Sequence, residues 1–107
     1  AAAYAAGQRA LGAGDAHAAL GALARACRDH PGHPEYEAVL AWARYRVQTV
    51  SGHPAEAAAA TERALVEAAL RGTRSWPRAE VALGLLCAAA GDVDAARWHL
   101  GRARAAP

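Results

Sequence analysis

The sequence predicts an all-α domain of helix hairpins arranged in tandem, and three observations predict it. First, hydrophobic residues make up 54% of the 107 residues, and most of them are alanine; there are 10 Leu and 6 Val, and neither Ile nor Phe occurs. Alanine is the best helix former, and the β-branched and aromatic residues that favour strands are scarce. Second, the run Gly7, Gly14-Asp15, Ala19, Leu23, Ala26 returns with the same spacing and no gap as Gly84, Gly91-Asp92, Ala96, Leu100, Ala103. A repeat in such register marks a tandem architecture. Third, the segments are punctuated by helix stops and starts: Gly-Asp inside each copy, and His-Pro-Gly-His-Pro over residues 30–34.

Six helices follow, over about residues 2–13, 15–29, 34–50, 54–71, 77–90 and 92–105. Gly14 and Gly91 can take the left-handed conformation that closes a helix. Asp15 and Asp92 can then cap the next helix by accepting from its free N–H groups. Pro31 and Pro34 stop the second helix. The third carries apolar residues at Tyr36, Val39, Leu40, Ala43, Val47 and Val50, a helical stripe. Ser51, Gly52, His53 and Pro54 form a hairpin tip, with Pro54 in the first turn of the fourth helix. Gly72-Thr73-Arg74-Ser75 leads to the fifth, which Pro77 opens. The repeats run over about 1–33, 34–75 and 76–107 in a single domain.

The middle unit is not a faithful copy. Thr61, Leu65 and Ala68 are preferred as the counterparts of Ala19, Leu23 and Ala26, which leaves nine extra residues. About one added turn per helix absorbs them. A rival register uses Ala57 and sets Thr61 where a leucine belongs.

These features resemble the tetratricopeptide repeat, a helix-turn-helix unit of about 34 residues. Gly7 and Gly84 match its small residue at the helix crossing, and the Gly-Asp pairs match its internal turn. The small–large–small triads Ala19/Leu23/Ala26 and Ala96/Leu100/Ala103 match its second helix, and Pro31 matches its stop. Its large first-helix positions are Ala3 and Ala10 in repeat one and Glu80 and Cys87 in repeat three, so the match is thinner there. The resemblance implies a right-handed superhelical stack of three antiparallel hairpins. It implies a protein-interaction module or scaffold that holds a peptide or helix of a partner protein on the face of the first helices. The matching positions are Tyr4, Gln8 and Leu11, then Glu37, Ala41, Arg44 and Tyr45, then Arg78, Val81, Leu85 and Ala88. Tyr and Arg are favoured anchors in interfaces. The family's carboxylate clamp uses Lys and Asn, and this chain has neither. Alternatives are a chaperone for a secreted protein, and a structural spacer or dimerisation domain in a larger bacterial protein.

Composition narrows the remaining classes. Net charge is +2, with 12 basic residues, all Arg, against 10 acidic ones. No clustered basic face argues for nucleic acid, no apolar run argues for a membrane span, and the N-terminus does not read as a signal peptide. A chain without Met is expected to be a fragment or processed domain, and its all-Arg, Ala-rich makeup suits a GC-rich bacterial genome. Cys27 and Cys87 are expected as buried free thiols, which suits a reducing, cytoplasmic setting. Cys27, His30 and His33 lack the second half of a zinc motif, so no metal site is expected; the histidines read as polar residues around a helix stop. No catalytic spacing or phosphate loop occurs, so no catalytic residue, enzyme activity or cofactor is expected. Glu62 with Arg63 and Glu67 with Arg71 read as charge pairs on a solvated face. Trp42 is expected at an edge of the core and Trp76 over the start of the fifth helix. Trp98 lies off the core face, where it either covers the last helix or meets a neighbour. With Val93 and Arg97 it marks a terminal face through which a homodimer could form.

Overall fold

Asp15 and Asp92 begin two of the helices in the same way. Each carboxylate accepts from the backbone N–H three residues on, Ala18 at 3.0 Å and Ala95 at 3.1 Å, which satisfies one of the free donors of a first turn. The glycines before them, Gly14 and Gly91, have φ of 79° and 89°, a region that side-chain-bearing residues rarely occupy. In the computed structural model, which describes residues 1–106, these signals delimit six helices and no strand: α1 (Ala2–Gly12), α2 (Ala16–Asp29), α3 (Pro34–Val50), α4 (Ala55–Leu70), α5 (Pro77–Ala89) and α6 (Val93–Ala105). Pro34 and Pro77 open α3 and α5, where a missing N–H costs nothing. No described helix is long and apolar enough to cross a membrane.

Consecutive helices fold back as hairpins α1–α2, α3–α4 and α5–α6; α2 packs on α3, α4 on α5, and α3 on α5. The middle hairpin has helices of 17 and 16 residues, against 11 and 14 in the first and 13 and 13 in the third. The middle hairpin is the longest, by four to six residues in α3 and by two to three in α4.

Alanine sets the spacing of the core. Ala19, Ala26, Ala38, Ala41, Ala43, Ala59 and Ala79 are fully buried, and such small side chains let helices approach closely. The two crossing glycines serve the same end. A Cβ on Gly7 would lie 2.6 Å from Leu23 Cγ, and one on Gly84 would lie 2.8 Å from Leu100 Cγ. The repeat seen in the sequence is thus the same glycine-on-leucine contact made twice. Two apolar clusters result. One joins α1, α2 and α3 through Tyr4, Leu23, Tyr36 and Leu40. The other joins α3, α4, α5 and α6 through Ala41, Val66, Leu86 and Ala96, with Cys87 beside them.

The register of α4 differs from the expected one. Thr61, Leu65 and Ala68 are exposed, and α4 buries Ala58, Ala59, Glu62 and Val66 instead. Glu62 is buried because α3 supplies its partners. Its Oε1 accepts from Arg44 Nε and lies 2.9 Å from Arg44 Nη2, and its Oε2 accepts from Gln48 Nε2 at 3.2 Å. Glu62 is therefore not the solvated neighbour of Arg63. The third hairpin makes a matching arrangement with the roles exchanged. Glu80 of α5 is buried, with His99 Nδ1 at 2.7 Å and Arg102 Nε at 3.4 Å, both from α6. Buried charges persist only when paired in this way.

Candidate functional site

Along α5, Arg78, Val81, Ala82 and Leu85 follow the i, i+3, i+4, i+7 spacing that puts side chains on one helical face. Gln8 and Leu11 of α1, and Val39 and Trp42 of α3, show the same three-residue step. These eight residues line one cleft of about 230 Å³, with α1 and α5 as walls and Val39 and Trp42 of α3 between them. Leu11, Val39, Trp42, Val81, Ala82 and Leu85 make most of it apolar. Trp42 stacks on Tyr45 with ring centres 5.2 Å apart, and the Arg46 guanidinium lies 5.8 Å from its ring. Such contacts limit the ring's freedom.

The other end of the cleft is polar. Arg78 Nη1 lies 4.0 Å from Glu35 Oε2, and its side chain is 65% exposed. Tyr4 is buried against Tyr36, ring centres 4.3 Å apart, and its hydroxyl accepts from Gln8 Nε2 at 3.2 Å. Burial, followed by the neighbouring Glu35 carboxylate, pushes the Tyr4 phenol above its ordinary pKa, while Arg78 acts in the opposite direction. The hydroxyl therefore stays neutral and holds Gln8 in place.

A column of stacked rings buttresses this end. Tyr36 stacks on Tyr4 and, at 3.8 Å, on His33; His33 lies 5.0 Å from Trp76; and the Arg74 guanidinium sits 3.9 Å from the Trp76 ring. His30 meets Tyr36 edge-on at 5.7 Å. The column ties α1 to the first turns of α3 and α5. Trp76 occupies the N-cap position of α5, and its side chain makes no capping hydrogen bond.

Of the positions expected to form a binding face, Gln8, Leu11, Arg78, Val81 and Leu85 meet in this cleft. Tyr4 supports it from beneath. Glu37, Ala41, Arg44 and Tyr45 do not line it: Ala41 is fully buried in the core, Arg44 is turned to Glu62, and Tyr45 lies behind Trp42. The face of α3 is rotated from the expected one, so that Val39 and Trp42 point into the cleft. Their spacing with Glu35 and Arg46 was the available signal. Ala88 on α5 is exposed outside it.

A second cleft lies on the side of the second helices, between Glu67, Leu70 and Arg71 at the end of α4, Glu80 and Leu83 of α5, and Trp98, His99 and Arg102 of α6. Glu67 pairs with Arg63 at 3.4 Å rather than with Arg71, because Arg71 has already left the helix as its C-cap. Arg63 also reaches Asp92 at 3.0 Å. Both cysteines are free; Cys87 is buried and Cys27 half-buried, and burial pushes both thiols up, Cys27 to about 11. No protein-family model, curated protein or solved structure matches the chain.

Proposed function

We propose that the chain is a protein-interaction module of the tetratricopeptide type, and that it holds a helical or extended segment of a partner protein in the cleft between α1, α3 and α5. The observation that carries this reading is the cleft itself: an apolar trough on three successive first helices, with a rigid tryptophan in it and an exposed arginine at one end. Binding sites for peptides combine such an apolar floor with a few placed polar groups. The segment that suits it presents large apolar residues to Trp42, Val81 and Leu85 and a carboxylate to Arg78. The solenoid assignment draws support from the duplicated glycine-on-leucine crossings, Gly7 on Leu23 and Gly84 on Leu100. On this reading the module is non-enzymatic, carries no cofactor or metal, and works in the cytoplasm.

The test is a peptide-display selection on the purified chain, counter-screened with the double variant V81E/L85E. Val81 is 40% exposed, so the variant is expected to stay folded by circular dichroism. Enriched peptides should share apolar and acidic residues and should lose binding to the variant. A selection that enriches nothing, or peptides that bind the variant equally, would defeat the reading.

A further inference from the structure

The register that equates Gly7 with Gly84 gives the residues of α2 counterparts on α6. Ala16, Leu20, Leu23 and Cys27 correspond to Val93, Arg97, Leu100 and Arg104, and each set follows the i, i+4, i+7, i+11 spacing of one helical face. On α2 that face lies against α3. Leu23 is fully buried, and Leu20 and Cys27 pack into the cluster that holds Tyr36, Val39, Leu40 and Ala43. On α6 the face is open. Leu100 makes the same contact with its glycine as Leu23 does, yet it is only half-buried, and Val93 is 54% exposed.

Two apolar positions of the covered face are arginines on the open one. Arg97 and Arg104 are exposed, and among the described residues no ion pair uses either. Asp94, the one acid of α6, lies on the next row of the helix with Trp98 and Gly101. Elsewhere in the protein, charge on such a face is answered by the hairpin that follows. Arg63 of α4 reaches Asp92 of the third hairpin at 3.0 Å. Beside Cys27, the counterpart of Arg104, α3 places an acid: burial and then the Glu37 carboxylate raise the Cys27 pKa, with Arg44 opposing.

We propose that the open face of α6 docks an acidic amphipathic helix of another protein, laid against Val93 and Leu100 as α3 is laid against α2, with carboxylates on Arg97 and Arg104. The two arginines stand two helical turns apart, about 10.5 Å, so a helix meets both from positions seven residues apart on one of its own faces. Charge complementarity selects this occupant, since every charged side chain on the face is positive. A second copy docked through the same face would set Arg97 and Arg104 against their own copies, and like charges juxtaposed in an interface are costly. The opposite end of the molecule serves no better, because it offers alanines with Arg9 and Arg25 against the single acid Asp29. The site is independent of the first cleft, which none of these four residues lines.

The test uses the whole 15N-labelled chain and a terminally blocked synthetic helix with leucines along one face and, beside them, two glutamates at the spacing of Arg97 and Arg104. One control carries glutamine at both acidic positions, and a second carries the glutamates on the far face. The acidic helix should move the backbone amides of Val93, Arg97, Leu100 and Arg104 and leave the Trp42 indole N–H in place. Its binding should weaken about tenfold or more in R97E/R104E and on raising salt. Arginine in place of the two glutamates should restore binding to that variant. Both altered side chains are exposed, and circular dichroism checks that the variant folds. The proposal is overturned if the acidic helix leaves the α6 amides unmoved, or if either control binds as well. It is equally overturned if the shifts fall only on Leu11, Trp42 and Leu85, if phosphatidylglycerol vesicles move the α6 amides where the helix does not, or if light scattering shows a dimer that R97E/R104E dissolves.

Discussion

Gly7→Ala and Gly21→Ala are the same chemical change inside helices, and the structure assigns them opposite outcomes. Replacing a helix-interior glycine by alanine gains about 0.5–1 kcal/mol when the new methyl is free of contacts. Gly21 is exposed on α2, and a Cβ there would meet nothing within 4 Å, so the full gain is expected. At Gly7 the added Cβ would stand 2.6 Å from Leu23 Cγ and 2.7 Å from Cδ2. Ordinary carbon contacts are about 3.5–4.0 Å, so the leucine or the helix must retreat by about an ångström. Leu23 is fully buried and has nowhere to go. Overpacking of this kind costs about 1–3 kcal/mol, which offsets or outweighs the propensity gain and leaves Gly7→Ala net destabilising by about 0–2.5 kcal/mol. Urea unfolding followed by circular dichroism reads both variants as midpoint shifts at constant slope. A Leu23→Ala background should remove most of the Gly7→Ala penalty, so the pair should be strongly non-additive. Equal stabilisation by the two glycine substitutions, or simple additivity with Leu23→Ala, would refute the reasoning.

Arg44→Met leaves the Glu62 carboxylate, 3% exposed, with Gln48 alone, and should cost about 3 kcal/mol in urea unfolding at neutral pH; Glu62→Met frees Arg44, 35% exposed, to turn to water, and should cost less. Val66→Ala removes packing at a site 1% exposed and should cost about 1–3 kcal/mol; Leu65→Ala, at a site 52% exposed, should stay within about 0.5 kcal/mol in the same measurement. The Ala95 backbone N–H, then Arg63, holds the Asp92 carboxyl below its ordinary pKa. A depressed folded pKa means that its stabilisation is present above the unfolded value and is lost as pH falls through the folded one. Thermal unfolding scanned down from neutral pH should therefore show a shallower acid limb in Asp92→Ala than in the parent chain, and identical limbs would refute the assignment.

Helix positions were legible because their signals are local. Gly-Asp turns, proline starts and the Gly7/Gly84 register fix where helices begin, end and cross, and the structure agrees within a residue or so. The face of α4 was not legible. Its sequence is alanine on several sides, so periodicity marks no preferred stripe, and Leu65 is the large apolar residue that the repeat spacing favours. The true inward face contains Glu62, an acid that reads as surface unless Arg44, 18 positions earlier, is known to meet it. The same pairing hid the cleft face of α3. On the repeat register Arg44 and Ala41 project with the first-helix residues, whereas Arg44 is turned to α4 and leaves Trp42 to face α1 and α5. Five of the eight lining residues, all from α1 and α5, were readable, and the share contributed by α3 depended on that one long-range ion pair.

The two buried carboxylates also decide which helices can marry. Alanine surfaces are nearly interchangeable, so a nascent chain could lay α6 on α3, or α4 on α5 as a hairpin, with little apolar penalty. The acids forbid it. The groups that neutralise Glu62 sit on α3 and those that neutralise Glu80 sit on α6. An exchange would join the two acid-bearing helices in one hairpin and the two base-bearing helices in the other. Each stranded carboxylate would then cost about 3–5 kcal/mol. Because the third hairpin inverts the polarity of the second, each helix carries an address that only its own partner can answer.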